Sequence, residues 1–285
     1  MSSRLEQSVK SRPKNVANKT GKDFNFVSIQ YLQERFLARL GKSRYRDHFV
    51  LKGALLLLAY KIPTVRPSKD IDFLGQQVSN DMGLVKTAIQ TIAAIKLKDG
   101  VSFNHHEIDI EQIAEDADYG GLRIKISATV GGDRHRLQID IGFGDAIVDG
   151  AVDMDYPAIL EFPSPNIKVY SLESAIAEKL EAIVSLGSFG SRMKDYFDVW
   201  FITQNHEMDK NRLKKAMKTT FSKRNTPLGD FKYIFNNEFK SEVDKHRQWK
   251  AFLNRTDIQL DHSFDHVIAD IESYVERALN YPHFY

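Results

Sequence analysis

Apolar residues recur at helical spacing in 28-SIQYLQERFLARL-40, at Ile29, Leu32, Phe36 and Leu40. This predicts an amphipathic helix with Ser28 as its N-cap and Gly41 as its stop. Residues 49-FVLKGALLLLAY-60 read as a strand end running into a buried helix. Pro63 and Pro67 bracket a loop, after which 70-DIDFL-74 reads as a strand and 82-MGLVKTAIQTIAAIK-96 as a helix. The period then changes. The segments 107-EIDIEQIAE-115, 122-LRIKISATV-130 and 135-HRLQIDIGF-143 alternate as half-buried strands do, with 131-GGD-133 as a hairpin loop between the last two. A Pro-rich passage, 157-PAILEFPSP-165, marks a domain boundary. Helical patterns follow at 172–187, 191–204, 211–221 and 264–280. The expected fold class is α+β: a mixed sheet with helices over residues 1–160, then a helical domain over 161–285.

The 285 residues are 42% hydrophobic, enough for a sizeable core. Cysteine is absent, which removes disulfides, thiolate chemistry and cysteine-based zinc sites. The N-terminus is polar and the longest apolar run, 53-GALLLLAY-60, is too short to span a bilayer. The expectation is a cytoplasmic protein with no membrane partner. The net charge of +2 is unevenly spread. Residues 1–22 carry Glu6 as their only acid, and 209-DKNRLKKAMKTTFSKRN-225 is strongly basic, with Lys232, Lys240, Lys245, Arg247, Lys250 and Arg255 beyond it. On charge alone this is an ordinary solvated helix face. It also fits a polyanionic partner, with Lys214, Lys215 and Lys218 as candidate contacts to an RNA backbone.

Two aspartates, Asp70 and Asp72, stand one residue apart in 66-RPSKDIDF-73. In a strand, positions i and i+2 share a face. Two carboxylates so placed repel, and one stays protonated unless a cation joins them. Hard oxygen ligands suit Mg²⁺. Asp140 is a third acid, inside the apolar pattern 137-LQIDIGF-143, where a charge is costly unless paired or metal-bound. A strand carrying D-x-D beside one carrying a single Asp suits metal-assisted phosphoryl chemistry, although a lone D-x-D is more often a solvated turn or a helix cap.

The order of features adds to this: 49-FVLKGALLL-57, 66-RPSKDID-72, Asp140, then 177-AEKLEAI-183 and 192-RMKDYFDVW-200. Over about residues 45 to 202 the series resembles the AbiEii family of nucleotidyltransferase-like toxins, a branch that includes the MenT toxins. The resemblance implies a bilobed fold, with a nucleotidyltransferase domain and a helical domain around a cleft. It implies transfer of a nucleotide from an NTP with Mg²⁺, tRNA acceptor ends as acceptors in MenT-type members, and a separately encoded antitoxin of AbiEi type. By position, Asp70 and Asp72 match the metal-binding pair, and Asp140 the third acid of the sheet. Ser68 matches a serine that is a target of inhibitory phosphorylation in some members. Lys179 matches the helical lysine, a point charge for triphosphate. Lys194, Asp195 and Asp198 lie in the last motif, and Asp198, in the more apolar context, is preferred over Asp195. The chain departs from the family pattern at Gly53-Ala54-Leu55, where one glycine and the following hydroxyl are missing; this bears on nucleotide affinity and identity.

Lys52 and Gly53 are further candidates for phosphate contact. Arg66 either pairs with Asp70 or Asp72 or binds phosphate. Lys179 in any structural role is expected to be an exposed helix lysine. His105 and His106 read as loop residues, and Tyr196, Phe197, Trp200 and Phe201 as core. Trp249 reads as packed, with base stacking as the sharper alternative. The expected function is a toxin-type nucleotidyltransferase acting on RNA, in a toxin–antitoxin or phage-defence system. The rivals are transfer to a small molecule, and a non-catalytic RNA- or partner-binding protein of the same fold.

Overall fold

The computed structural model describes residues 4–62, 68–114, 120–256 and 258–279. It divides into two compact units, Met1–Gly144 with Ala151–Val169, and Asp145–Gly150 with Tyr170–Tyr285.

The first unit is built on a seven-stranded mixed sheet in the order β3-β4-β5-β2-β1-β7-β6. The strands are β1 (Phe49–Lys52), β2 (Asp70–Gly75), β3 (Val101–Ala114), β4 (Gly120–Val130), β5 (Asp133–Phe143), β6 (Val152–Asp155) and β7 (Asn166–Val169). β2 lies between β5, to which it is parallel, and β1, to which it is antiparallel. Its helices are α1 (Arg4–Thr20), α2 (Phe24–Gly41), α3 (Gly53–Ala59) and α4 (Met82–Ala93). The sequence placed the boundary near 160. Strand β7, beyond that point, pairs with both β1 and β6 in the sheet.

The helix read over 28–40 starts earlier. Asp23, not Ser28, is its N-cap and accepts from the Phe26 amide at 3.0 Å, while the Ser28 hydroxyl turns back to the Phe24 carbonyl. From Tyr31 to Leu40 every residue of α2 is buried, so its polar residues are paired inside the fold. Arg39 forms a two-pronged contact with Asp99 at 2.8 and 3.1 Å and also donates to the Val101 carbonyl. Glu34 pairs with Arg35 and accepts from the Ile159 amide. Gln33 donates to the carbonyls of Ser68 and Asp70 at 3.2 and 3.3 Å, tying the central helix to the start of β2.

The β4–β5 hairpin closes as expected, with Gly131 and Gly132 both at positive φ and Val130 opposite Asp133. His105 and His106 are not loop residues. They lie within β3, where its pairing with β4 shifts register between Phe103 and Ile108.

The second unit is helical over Tyr170–Tyr285 as far as described: α5 (Leu172–Leu186), α6 (Met193–Asn205), α7 (Lys210–Lys223), α8 (Phe231–Phe235), α9 (Asn237–Lys240), α10 (Val243–Thr256) and α11 (Phe264–Leu279). Tyr196, Phe197 and Trp200 are core residues, and Phe201 is half-buried. Trp249 is buried and donates from its indole to the His262 carbonyl at 3.0 Å, which removes it as a base-stacking surface. Lys245, counted above among the surface cations, is fully buried. No described helix is long and apolar enough to cross a membrane.

Candidate active site

β2 carries Asp70 and Asp72 on one face, as strand periodicity requires. The parallel register sets Asp72 opposite Asp140 of β5 and Asp70 opposite Gln138. Each of the three acids offers an oxygen, and these oxygens lie within 4.8 Å of one another. It is the one such group of three among the described residues. Three hard oxygen donors at that separation fit a divalent cation of the Mg²⁺ class.

The surroundings differ from acid to acid. The Ser68 hydroxyl donates to Asp70 Oδ1 at 2.8 Å. The backbone of Asp72 lies opposite Lys52 across the β1–β2 pair. Asp140 is buried and meets Arg123 of β4 in a bidentate pair, Nε to Oδ1 at 2.9 Å and Nη2 to Oδ2 at 2.7 Å, with Gln138 at 3.3 Å. This hydrogen bond is the main reason the Arg123 guanidinium holds its proton more tightly than an ordinary arginine. Arg123 was absent from the sequence reading, yet the hairpin carries its signal. A two-residue loop pairs positions equally distant from it, which sets Arg123 against Asp140. Gln33 was missed too, because its targets, the carbonyls of Ser68 and Asp70, lie far along the chain.

Gly53 opens α3 at φ +67, and a β-carbon there would lie 2.0 Å from Asp72 Oδ2. The glycine is required twice over, for its backbone conformation and for the close approach of the carboxylate. Ala54, where the family pattern has a second glycine, is buried, and the positive φ falls on Gly53, not on Ala54. Gly53→Ala is therefore expected to displace the Asp72 carboxylate, to destabilise by at least about 1 kcal/mol, and to lose activity. Thermal melts and a transfer assay check this; a variant that melts and reacts like the parent would show the turn to be tolerant. Arg66 lies outside the described residues.

A second charged cluster lies in the helical unit. Lys179 of α5 donates through Nζ to Asp195 Oδ1 at 2.9 Å and Asp198 Oδ2 at 2.8 Å, both on α6. Arg192 Nε meets Asp195 Oδ2 at 2.6 Å. The two aspartates are buried and the lysine largely so, with 14% of its side chain exposed. Lys179 is thus not the exposed helix lysine that a purely structural role would predict. Choosing between Asp195 and Asp198 also loses its basis, since both hold the same ammonium. Burial is the largest single influence and would raise the Asp195 pKa, but the charges of Lys179 and Arg192 and the Lys179 hydrogen bond together hold this carboxyl below the usual aspartate range. Lys194 is exposed on α6.

The basic helix α7 is only partly a free charged surface. Lys214 donates to the Leu279 carbonyl at 3.0 Å and Lys215 to Asp149 at 2.6 Å, while Lys218 is exposed.

A family model described as nucleotidyl transferase AbiEii toxin, type IV toxin–antitoxin system, matches residues 35–270. The fold is similar to that of MenT4, a nucleotidyltransferase toxin from Mycobacterium tuberculosis, with 16% identity over 94% of this chain and 98% of that one and a TM-score of 0.54. A likeness to JHP933 from Helicobacter pylori covers 88% of this chain and 92% of that one, at 19% identity and a TM-score of 0.49. No curated protein matches the sequence.

Proposed function

The chain belongs to the AbiEii nucleotidyl transferase toxin family, and from that premise we propose that it transfers a nucleotide from an NTP to the 3′ end of an RNA, a tRNA acceptor end in the first instance. The observation that carries the reading is the acidic triad, Asp70, Asp72 and Asp140, with its ligand oxygens within 4.8 Å.

The reaction forms a bond from the acceptor 3′-oxygen to the α-phosphorus and breaks the bond from that phosphorus to the departing pyrophosphate oxygen. The hydroxyl proton passes to a carboxylate of the site. Asp70 and Asp72, with Asp140, would hold Mg²⁺, which when bound polarises the phosphoryl oxygens and screens charge on the leaving group. Ser68 orients Asp70 through its hydroxyl. Arg123 fixes Asp140 on the sheet face through its bidentate pair. Lys52 and Gly53, with Arg66, are assigned to the nucleotide phosphates. Lys179, oriented by Asp195 and Asp198, is assigned to the triphosphate as a point charge, and Lys194 to the same ligand. Lys218, with Lys214 and Lys215, is assigned to the RNA backbone, which it would bind without reading sequence. A separately encoded antitoxin of AbiEi type would restrain the activity, and the cytoplasm supplies both NTP and tRNA.

Incubation with each labelled NTP in turn, Mg²⁺ and total tRNA is expected to label the tRNA with one or two of the four nucleotides, and chelation of the metal to abolish it. Label passing only to small molecules would support an antibiotic-modifying type of activity. RNA binding without transfer under every condition would support a non-catalytic protein of the same fold.

A further inference from the structure

Phe189 is fully exposed, more so than any other large apolar side chain among the described residues. It lies in the turn between α5 and α6, residues Leu186 to Gly190, where Leu186 is also 40% exposed. The Gly190 amide donates to the carbonyls of Leu186 and Gly187. Leaving a phenylalanine in water forgoes the gain of burying its ring, and exposed loop tips ordinarily carry small or polar residues.

The turn is nevertheless fixed from beneath. Lys245 of α10, fully buried, donates from Nζ to the carbonyls of Gly187 and Gly190, with the ammonium 5.3 Å from the Phe239 ring centroid. Burial lowers the pKa of this lysine. A buried cation is costly unless its hydrogen bonds are met, and here they are met by the two carbonyls flanking Phe189. The fold thus uses a buried charge to hold the backbone of a turn whose one aromatic side chain stands in solvent.

The charge around the turn indicates the occupant. Between Glu181 and Asp195 the chain carries no acid, while Arg192 and Lys194 follow Phe189 closely. The three residues from Phe189 to Arg192 span at most about 10 Å, comparable to the distance from a base to its neighbouring phosphates. Arg192 remains 42% exposed despite its contact with Asp195. Helix α8, which packs on this turn, bears a second exposed aromatic, Tyr233, with Lys232 Nζ 4.9 Å from its ring centroid. Aromatic faces interleaved with cations make up a single-stranded nucleic-acid surface; an apolar protein partner has no use for the cations.

We propose that the Leu186–Gly190 turn is a stacking post, on which an unpaired base of the RNA rests against the Phe189 ring while Arg192 meets an adjoining phosphate. Lys245 is the positioning residue that fixes the post. The proposal rests on RNA being the acceptor.

The test compares the full-length parent with Phe189→Ala, Phe189→Leu and Phe189→Trp. Binding is read by anisotropy of 5′-labelled total tRNA and of a 5′-labelled single-stranded oligoribonucleotide at fixed salt, and NTP binding by thermal shift. All four proteins are expected to melt alike, since the side chain is exposed. Alanine and leucine are expected to weaken RNA binding by about 10-fold, tryptophan to preserve or tighten it, and the NTP shift to stay unchanged. Lys245→Met is expected to cause the same loss, with little further loss in the Phe189→Ala/Lys245→Met double variant, because both changes act through one ring. Unchanged RNA affinity for Phe189→Ala overturns the proposal and leaves the acceptor reading standing. Parent-like RNA binding by Phe189→Leu overturns stacking in favour of a merely apolar contact, and a lost NTP shift overturns it in favour of the donor base. If the parent binds neither RNA, the acceptor reading fails and the proposal with it.

Discussion

Replacing Asp70 or Asp72 with asparagine is expected to abolish nucleotide transfer and leave the fold intact. The amide keeps the size and shape of the carboxylate, so the packing around β2 is undisturbed. What it removes is a hard anionic donor from a group whose ligand oxygens lie within 4.8 Å. Losing one electrostatic element of this kind is expected to slow transfer by at least about 10²–10³-fold. Stability should move the other way or not at all, because like charges at this separation repel in the absence of a cation. Mg²⁺ supplies an independent readout. A ligand at a hundred times its Kd adds about 2.7 kcal/mol of stability to the protein that binds it. The parent should therefore melt higher as Mg²⁺ is added, and Asp70→Asn and Asp72→Asn should respond far less. Either variant transferring nucleotide at the parent rate would remove these residues from the chemistry.

Lys179→Ala is expected to damage the fold as well as the activity. Its ammonium lies between two buried carboxylates at 2.9 and 2.8 Å, and Arg192 also meets Asp195. Removing one side of a buried pair costs about 3–5 kcal/mol, because the other side is left charged and dry. The pH dependence has a definite sign. Asp195 titrates below its ordinary value in the folded parent. Its ionised form therefore contributes stability above the unfolded aspartate range, and this is lost as pH falls through the lower folded pKa. Without Lys179 burial is less well opposed, the folded pKa rises, and acidification from neutral pH towards that range should narrow the stability gap between variant and parent. Urea melts at neutral and mildly acidic pH measure it; a gap that widens on acidification would contradict the assignment.

Structure and catalysis at Lys179 can be separated. Lys179→Arg keeps the charge and should recover most of the stability, but only part of the transfer rate, since the planar fork does not place charge where the ammonium does. The triple variant Lys179→Met, Asp195→Asn, Asp198→Asn removes the charges together and should fold. If it also transfers nucleotide at the parent rate, Lys179 has no part in the reaction.

The sequence alone determined whatever depends on local periodicity. Strand alternation put Asp70 and Asp72 on one face, and the two glycines of the β4–β5 hairpin fixed the register that brings Arg123 against Asp140. The change from alternating to helical patterns identified the α+β class and the helical second half. Ala54, a departure from the family pattern, needed the structure to show that the positive φ at this turn falls on Gly53. The meeting of Asp72 with Asp140 depends on parallel pairing between strands far apart in the chain, and no local period encodes that register. The states of single side chains were further from reach. A lysine between polar neighbours on α10 reads as exposed and a phenylalanine as core, yet Lys245 is buried and Phe189 is in water. Burial is a property of where an element packs, and the carbonyls of Gly187 and Gly190 that make a buried lysine tolerable come from more than fifty residues away. For the same reason Lys179, Asp195 and Asp198 could be picked out as motif residues, while only the packing of α5 against α6 made them one ion-paired cluster.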